Sequence, residues 1–242
     1  MITIGLDAGH GGSSSGTYSV NTTKDGLFEK DYALEMVKMI NAKLVEHGFK
    51  TVLTRTADYN PGTVMERARM CIAAGCDFAL SVHFNGFEKE SANGTEIFVP
   101  YGETYAQIET RIKSVLTQYF KERAPFARSN SYYDRNDIFD KRLNETTKRF
   151  DAWEKQDDYF GFVRTCWKNG VSADLLEICF LTNKKDFETY IANEEAIADG
   201  IARAIVEGFG KKYKPTENKV EKIKPKIAVY GKSKDGFLNL RR

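Results

Sequence analysis

The chain has 242 residues, of which 41% are hydrophobic and 29% charged, and its formal net charge is +2. This length allows one large α/β domain with an appendage, and no stretch approaches the roughly 20 apolar residues of a membrane-spanning helix. The four cysteines (71, 76, 166 and 179) form no CxxC pair, which excludes a disulfide framework and predicts reduced thiols in the core.

Strand and helix signals alternate along residues 1–210. In chain order, the patterns predict strands at 2–6, 51–53, 77–82, 94–99 and 173–181. They predict helices at 31–47, 65–74, 105–123 and 193–209. The near-continuous apolar run at 173–181 is typical of a strand buried on both faces. We therefore expect an α/β fold, with a twisted, mainly parallel sheet and helices on both faces.

Two segments lie outside this alternation. Residues 124–158 are rich in charges and aromatics and are interpreted as an insertion, either a functional loop or lid or a helical segment packed on the body. Residues 211–242 carry eleven Lys/Arg against three Asp/Glu, and residues 211–225 are predicted to form a basic linker. A basic tail is attracted to polyanions such as anionic cell-wall polymers, nucleic acid or acidic lipid, although a solvated linker without a partner explains the composition equally well.

Two of the three histidines each follow an apolar run. His10 follows the strand at 2–6, and His83 follows the strand at 77–82. Because the carboxyl ends of parallel strands share one edge of a sheet, the two imidazoles are expected to lie close together, and imidazole is a common metal ligand. Either histidine alone would more often be a hydrogen-bonded loop or core residue. As a pair, they predict a zinc site.

Two glutamates complete the hypothesis. A catalytic zinc site commonly has three protein ligands. Glu29 lies at the start of the first long helix, and that end of the helix can return to the edge of the sheet near His10. Considered alone, Glu29 would be interpreted as a helix-capping residue. Glu177 lies within the apolar strand, where an ionised carboxylate is costly unless it is paired. It is therefore interpreted as a general base beside the metal, or else as the partner in a structural salt bridge.

Four segments in this order resemble the zinc-dependent N-acetylmuramoyl-L-alanine amidases of the type 3 family: residues 7–12 (DAGHGG), 29–31 (EKD), 81–86 (SVHFNG) and 176–183 (LEICFLTN). Residues 54–58 (TRTAD) and Arg67 also resemble a segment of that family. The resemblance covers residues 2–209 and is weakest at 101–158. It implies that His10, Glu29 and His83 bind Zn²⁺ and that Glu177 is the catalytic glutamate.

The resemblance also implies a substrate. Enzymes of this family hydrolyse the amide between the lactyl group of N-acetylmuramic acid and the L-alanine of the peptidoglycan stem peptide. Part of residues 159–164 is expected to line the groove. Ala8, Phe84 and Cys179 depart from the usual pattern, and they bear on substrate fit rather than on the ligands.

The termini suggest a biological setting. No signal-peptide pattern precedes the first strand, and residues 226–242 resemble the start of a truncated bacterial SH3-like wall-binding module. This combination is typical of a bacteriophage endolysin, stored in the host cytoplasm and released to the cell wall at lysis. A bacterial autolysin or sporulation amidase, secreted and freed of its leader, is the alternative. The expected partner is peptidoglycan, with no nucleic acid and no membrane span.

Other function classes make different demands on the sequence. A zinc peptidase cutting within stem peptides would use the same metal chemistry, and a non-catalytic wall-binding protein would more often lack one of the four residues. A phosphate-binding loop is disfavoured because no Lys-Ser/Thr follows residues 9–12. A two-carboxylate glycosidase would leave both histidines unexplained.

Overall fold

The structure is a computed structural model that describes residues 1–100, 107–123, 127–128 and 160–215. The SH3-like segment at 226–242 lies outside these residues, as do the predicted insertion at 124–158, apart from residues 127–128, and the predicted linker beyond residue 215.

Six strands form a single sheet: β1 (Thr3–Ala8), β2 (Lys50–Leu53), β3 (Phe78–Asn85), β4 (Glu96–Val99), β5 (Ala127–Arg128) and β6 (Ser172–Phe180). Their order across the sheet is β2-β1-β3-β6-β4-β5. The pair of β4 with β6 is antiparallel, and the other paired strands are parallel. The predicted mainly parallel sheet is therefore confirmed. We call the side where β1, β2, β3 and β6 end the carboxyl edge.

Helices cover both faces of the sheet: α1 (Thr22–Asp25), α2 (Glu29–Glu46), α3 (Val64–Ala73), α4 (Gln107–Leu116), α5 (Gly161–Lys168) and α6 (Lys184–Gly208). The side chains of α2, α4 and α6 pack on one face and form the large apolar core. Ala68 and Cys71 of α3 and Phe162 and Cys166 of α5 pack on the other face. No helix in the described ranges is both long and apolar enough to cross a membrane.

The predicted start of the last helix at residue 193 is wrong. Helix α6 begins at Lys184, because the side chain of Asn183 caps it by accepting a hydrogen bond from the backbone N–H of Asp186 (2.9 Å). Phe187 and Tyr190 in the added turns are buried against the core. The short helices α1 and α5 were not predicted, and α4 ends at residue 116 rather than 123.

The first residues after α6 pack on the far end of α2. The Tyr213 ring stacks on His47 at 4.3 Å between centroids, and its hydroxyl donates to Oδ1 of Asp199 at 2.5 Å. Because α2 begins near the carboxyl edge and ends at the opposite side of the sheet, the chain leaves the described domain away from that edge.

The cysteines are buried and unpaired, as predicted. One of them, Cys71 of α3, packs directly on Gly5 of β1, where a β-carbon would lie 2.6 Å from the sulfur. A side chain at residue 5 would therefore hold α3 away from the strand that leads to His10.

Replacing Gly5 with alanine should destabilise the fold by about 1 to 3 kcal/mol, because the methyl group overpacks the contact between β1 and α3. Urea unfolding of Gly5→Ala, Cys71→Ala and the double variant measures the effect. The double variant should lose less stability than the sum of the single losses, because the new methyl group occupies space left by the sulfur. Strictly additive losses would contradict the contact.

Candidate metal centre and active site

Three predicted ligands meet at the carboxyl edge. His10 follows β1, His83 lies near the end of the adjacent parallel strand β3, and Glu29 is the first residue of α2. Residues 11–28 fold back so that the start of α2 returns to the edge. The structure therefore brings together side chains that are far apart in the sequence.

One carboxylate oxygen of Glu29 contacts both imidazoles. Its Oε1 lies 2.9 Å from Nδ1 of His83 and 3.2 Å from Nε2 of His10. One ligand atom from each of the three residues lies within 4.8 Å of the other two. The imidazole rings are 5.0 Å apart and nearly perpendicular. This geometry allows a cation to bind all three residues at once.

The Glu29 carboxylate is held by backbone donors as well. The N–H of Thr17 donates to Oε2 at 2.9 Å and that of Phe84 to Oε1 at 3.1 Å. Burial by itself raises the pKa of Glu29, but the hydrogen bonds and charges of His10 and His83 outweigh it and hold the pKa well below its usual range. The Glu29 carboxylate is therefore ionised at neutral pH.

Two glycines leave room for the ligands. A β-carbon at Gly9 would lie 2.5 Å from Cε1 of His83, and one at Gly16 would lie 2.5 Å from Oε2 of Glu29. His10 has a φ of 59°, the only positive φ among the described non-glycine residues. This backbone turn directs His10 toward Glu29, while its Nδ1 lies 3.0 Å from Oγ of Ser14.

Glu177 lies beside this cluster on the next strand. It is the register partner of His83 in the parallel pair of β3 and β6, so the two side chains leave the same face of the sheet. Its Oε2 is buried without a hydrogen-bond partner among the described residues. Burial raises the pKa of Glu177 well above its usual range, and the charges of Glu29 and Glu96 add to the effect. Glu177 therefore holds a proton more readily than an ordinary glutamate does.

The sequence analysis did not identify a further glutamate that lies beside Glu177. Glu96 of β4 is the antiparallel partner of Glu177, and it accepts hydrogen bonds from Nδ2 of Asn85 (2.8 Å) and forms an ion pair with Nε of Arg123 (3.3 Å). The argument applied to Glu177, a charge within an apolar strand, would have identified Glu96 too. The row Glu96, Glu177 and His83 thus runs across three adjacent strands.

Residues expected to shape the groove lie partly in the core. Phe162 and Val163 of the 159–164 segment are fully buried. The three departures from the family pattern, Ala8, Phe84 and Cys179, are also buried, so they do not contact a substrate directly. Phe84 packs edge-on against Tyr190 in the core, at 4.8 Å between ring centroids.

Known proteins are similar to this chain in sequence and in fold. The chain is 36% identical to the N-acetylmuramoyl-L-alanine amidase LytC of Bacillus subtilis over 103 residues, which make up 43% of this chain and 19% of LytC. It is 29% identical to the endolysin of Bacillus phage SPP1 over 97% of this chain and 78% of that protein. Most of the relatives are longer, and the chain spans less than two thirds of LytC and of several others.

The solved N-acetylmuramoyl-L-alanine amidase AmiC2 of Nostoc punctiforme has the same fold, with a TM-score of 0.63 and 23% identity, covering 87% of this chain and 98% of that structure. The sequence profile of the N-acetylmuramoyl-L-alanine amidase family Amidase_3 matches residues 4–208. This range includes both histidines and both glutamates of the sequence hypothesis, and all of the sheet except Thr3, the first residue of β1. The chain therefore belongs to the N-acetylmuramoyl-L-alanine amidase family.

Proposed function

We propose that this chain is a zinc-dependent amidase that hydrolyses the bond between N-acetylmuramic acid and L-alanine in peptidoglycan. The observation that carries the proposal is the convergence of His10, Glu29 and His83 beside the buried carboxyl group of Glu177. Membership of the amidase family supports the reaction class.

The donor set fits zinc. Two imidazole nitrogens and one carboxylate are a common set of three ligands in catalytic zinc sites, and they leave a position for water or substrate. Glu29 is nearly fully buried and ionised, whereas 28% of the His10 side chain is exposed, so the site is open on the histidine side. When bound, Zn²⁺ polarises the scissile carbonyl and makes water more acidic.

Glu177 is the proposed general base and acid. Its carboxylate takes a proton from the attacking water as the new C–O bond forms at the lactyl carbonyl. It then donates that proton to the nitrogen of L-alanine as the C–N bond breaks. A raised pKa makes the Glu177 carboxylate a stronger base toward the attacking water, and the proton that it takes up is the one it passes to the leaving nitrogen. The apolar strand around Glu177 supplies the desolvation that raises its pKa.

We also infer the biological role of an endolysin. The similarity to the phage SPP1 endolysin extends over nearly the whole chain and supports this role. In that role the protein stays in the host cytoplasm until it is released to the cell wall, where the basic tail at 211–242 attracts anionic wall polymers. A secreted wall autolysin would use the same site.

Digestion of purified peptidoglycan tests the reaction. With zinc, mass spectrometry should detect free stem peptides beginning with L-alanine together with intact glycan strands. A chelator should abolish this release, and added zinc should restore it. Cuts within the peptides would instead indicate a peptidase with the same metal site, and the absence of any product would favour a wall-binding protein without activity.

Replacing Glu177 with glutamine should lower kcat by about 10²- to 10⁴-fold, because an amide cannot accept the proton of the attacking water. Zinc content should stay near one ion per chain, as measured by atomic emission after gel filtration. His83→Ala should lose both zinc and turnover. Equal zinc loss in the two variants would contradict the roles assigned here.

Replacing Gly9 with alanine should lower kcat/KM on the order of 10²-fold, because the methyl group displaces the His83 ring from the ligand position. Competition with a chromophoric chelator should show a parallel loss of zinc affinity. Gly161→Ala is the matched control, since the nearest atoms to its β-carbon would lie at an ordinary 3.7 Å. Wild-type zinc affinity in Gly9→Ala would show that the ring is not confined as described.

A further inference from the structure

A buried arginine links the backbones that carry two of the proposed ligands. Arg55, which is 1% exposed, follows β2 at the carboxyl edge. It donates from Nε to the carbonyl of Ala8 (3.1 Å) and from Nη2 to the carbonyls of Gly9 (2.8 Å) and Lys30 (2.6 Å). A fourth, longer bond joins Nη1 to the carbonyl of Ala57 (3.4 Å). The side chain thus spans the end of β1 and the start of α2.

These carbonyls adjoin the proposed ligands. Ala8 and Gly9 directly precede His10, and Lys30 directly follows Glu29. Along the chain, the two proposed ligands are separated by residues 11–28, which include the short helix α1. Arg55 connects them through a single rigid group.

We propose that Arg55 is a positioning residue that sets the distance between His10 and Glu29 and thereby the affinity of the site for zinc. This inference rests on the proposed zinc site. Arg55 acts through the backbone and makes no direct contact with either ligand side chain in the hydrogen bonds described.

The chemistry of the guanidinium group explains the choice of arginine. Its planar fork holds several N–H donors at fixed spacing, and hydrogen bonds from a charged donor are stronger than neutral ones. A lysine ammonium at the same place is a single point and cannot reach separate carbonyls with this geometry. Burial lowers the pKa of Arg55, and the charges of Asp7 and Asp58 offset part of this effect.

A second contact reinforces the same junction. Asp58 accepts from Nζ of Lys30 (2.7 Å) and from the backbone N–H of Gly12 (2.8 Å), and Lys30 also donates to the carbonyl of Gly12 (2.9 Å). This ion pair is half-exposed, so it is expected to contribute less than the buried arginine. The TRTAD segment (residues 54–58), which contributed to the family resemblance, therefore helps to hold together the segments that carry the proposed metal ligands.

The test is zinc affinity, measured by chelator competition on purified wild type and Arg55→Lys. Arg55→Lys should bind zinc about 10- to 100-fold more weakly, the usual loss when a group that orients metal ligands is removed. When cobalt replaces zinc, the visible absorption spectrum of Arg55→Lys should also differ from that of the wild type, because the geometry of the metal ligands relaxes in the variant. kcat should fall more than KM rises.

Ile40→Val is the control for general loss of stability. Ile40 lies fully buried in the middle of α2, away from the carboxyl edge. The Ile40→Val substitution should lower the melting temperature of the metal-free protein but leave zinc affinity and the cobalt spectrum unchanged. Equal zinc loss in Ile40→Val and Arg55→Lys would overturn the proposal, because affinity would then follow overall stability.

Arg55→Ala provides an independent measurement. Millimolar methylguanidinium should restore part of its zinc affinity by occupying the vacated cavity, whereas methylammonium should not. Wild-type affinity in Arg55→Lys, or failure of both Arg55 variants to fold, would overturn the positioning role. Absence of zinc binding in the wild type would instead refute the proposed function itself.

Discussion

The parallel pairing of β1, β3 and β6 is the constraint on which the site depends. Pairing in this direction places the ends of three strands at one edge, and the register sets His83 beside Glu177. A slip of one residue would turn the side chains of a strand to the opposite face, so His83 would leave the site altogether. The two layers that cover the sheet oppose such a slip, because Phe78, Leu80 and Val82 fill the large core while the smaller Ala79 packs on the other face.

A buried charge joins the strands beneath the site. Asp7 of β1 is fully buried and accepts hydrogen bonds from Thr54 Oγ1 (2.6 Å), Arg67 Nη1 (3.1 Å) and Ser81 Oγ (2.6 Å). These partners come from the ends of β2, from α3 and from β3. A buried carboxylate with such partners is stable, whereas removal of one partner leaves an uncompensated charge. Together with Arg55, this network joins the proposed metal site to the rest of the sheet.

Three glutamates at the carboxyl edge have different surroundings and hence different chemistry. Glu29 is held ionised by two histidines, Glu177 lacks a described partner for one buried oxygen, and Glu96 pairs with Arg123. These surroundings lower the pKa of Glu29 and raise that of Glu177, so the two carboxyl groups suit different roles. On this basis, Glu29 suits a ligand, Glu177 a proton carrier and Glu96 a polar support of the strand beside it.

The sequence alone determined the α/β class, most strands and the four residues of the site hypothesis, because hydrophobic period and short motifs are local properties of a chain. It misplaced the start of α6 and missed α5, since Asn183 caps one helix and buried contacts stabilise the other. It also missed Glu96, and it could not assign a task to Arg55. The partners of these two side chains come from other strands and loops, and only the tertiary structure decides which distant groups a buried charge meets.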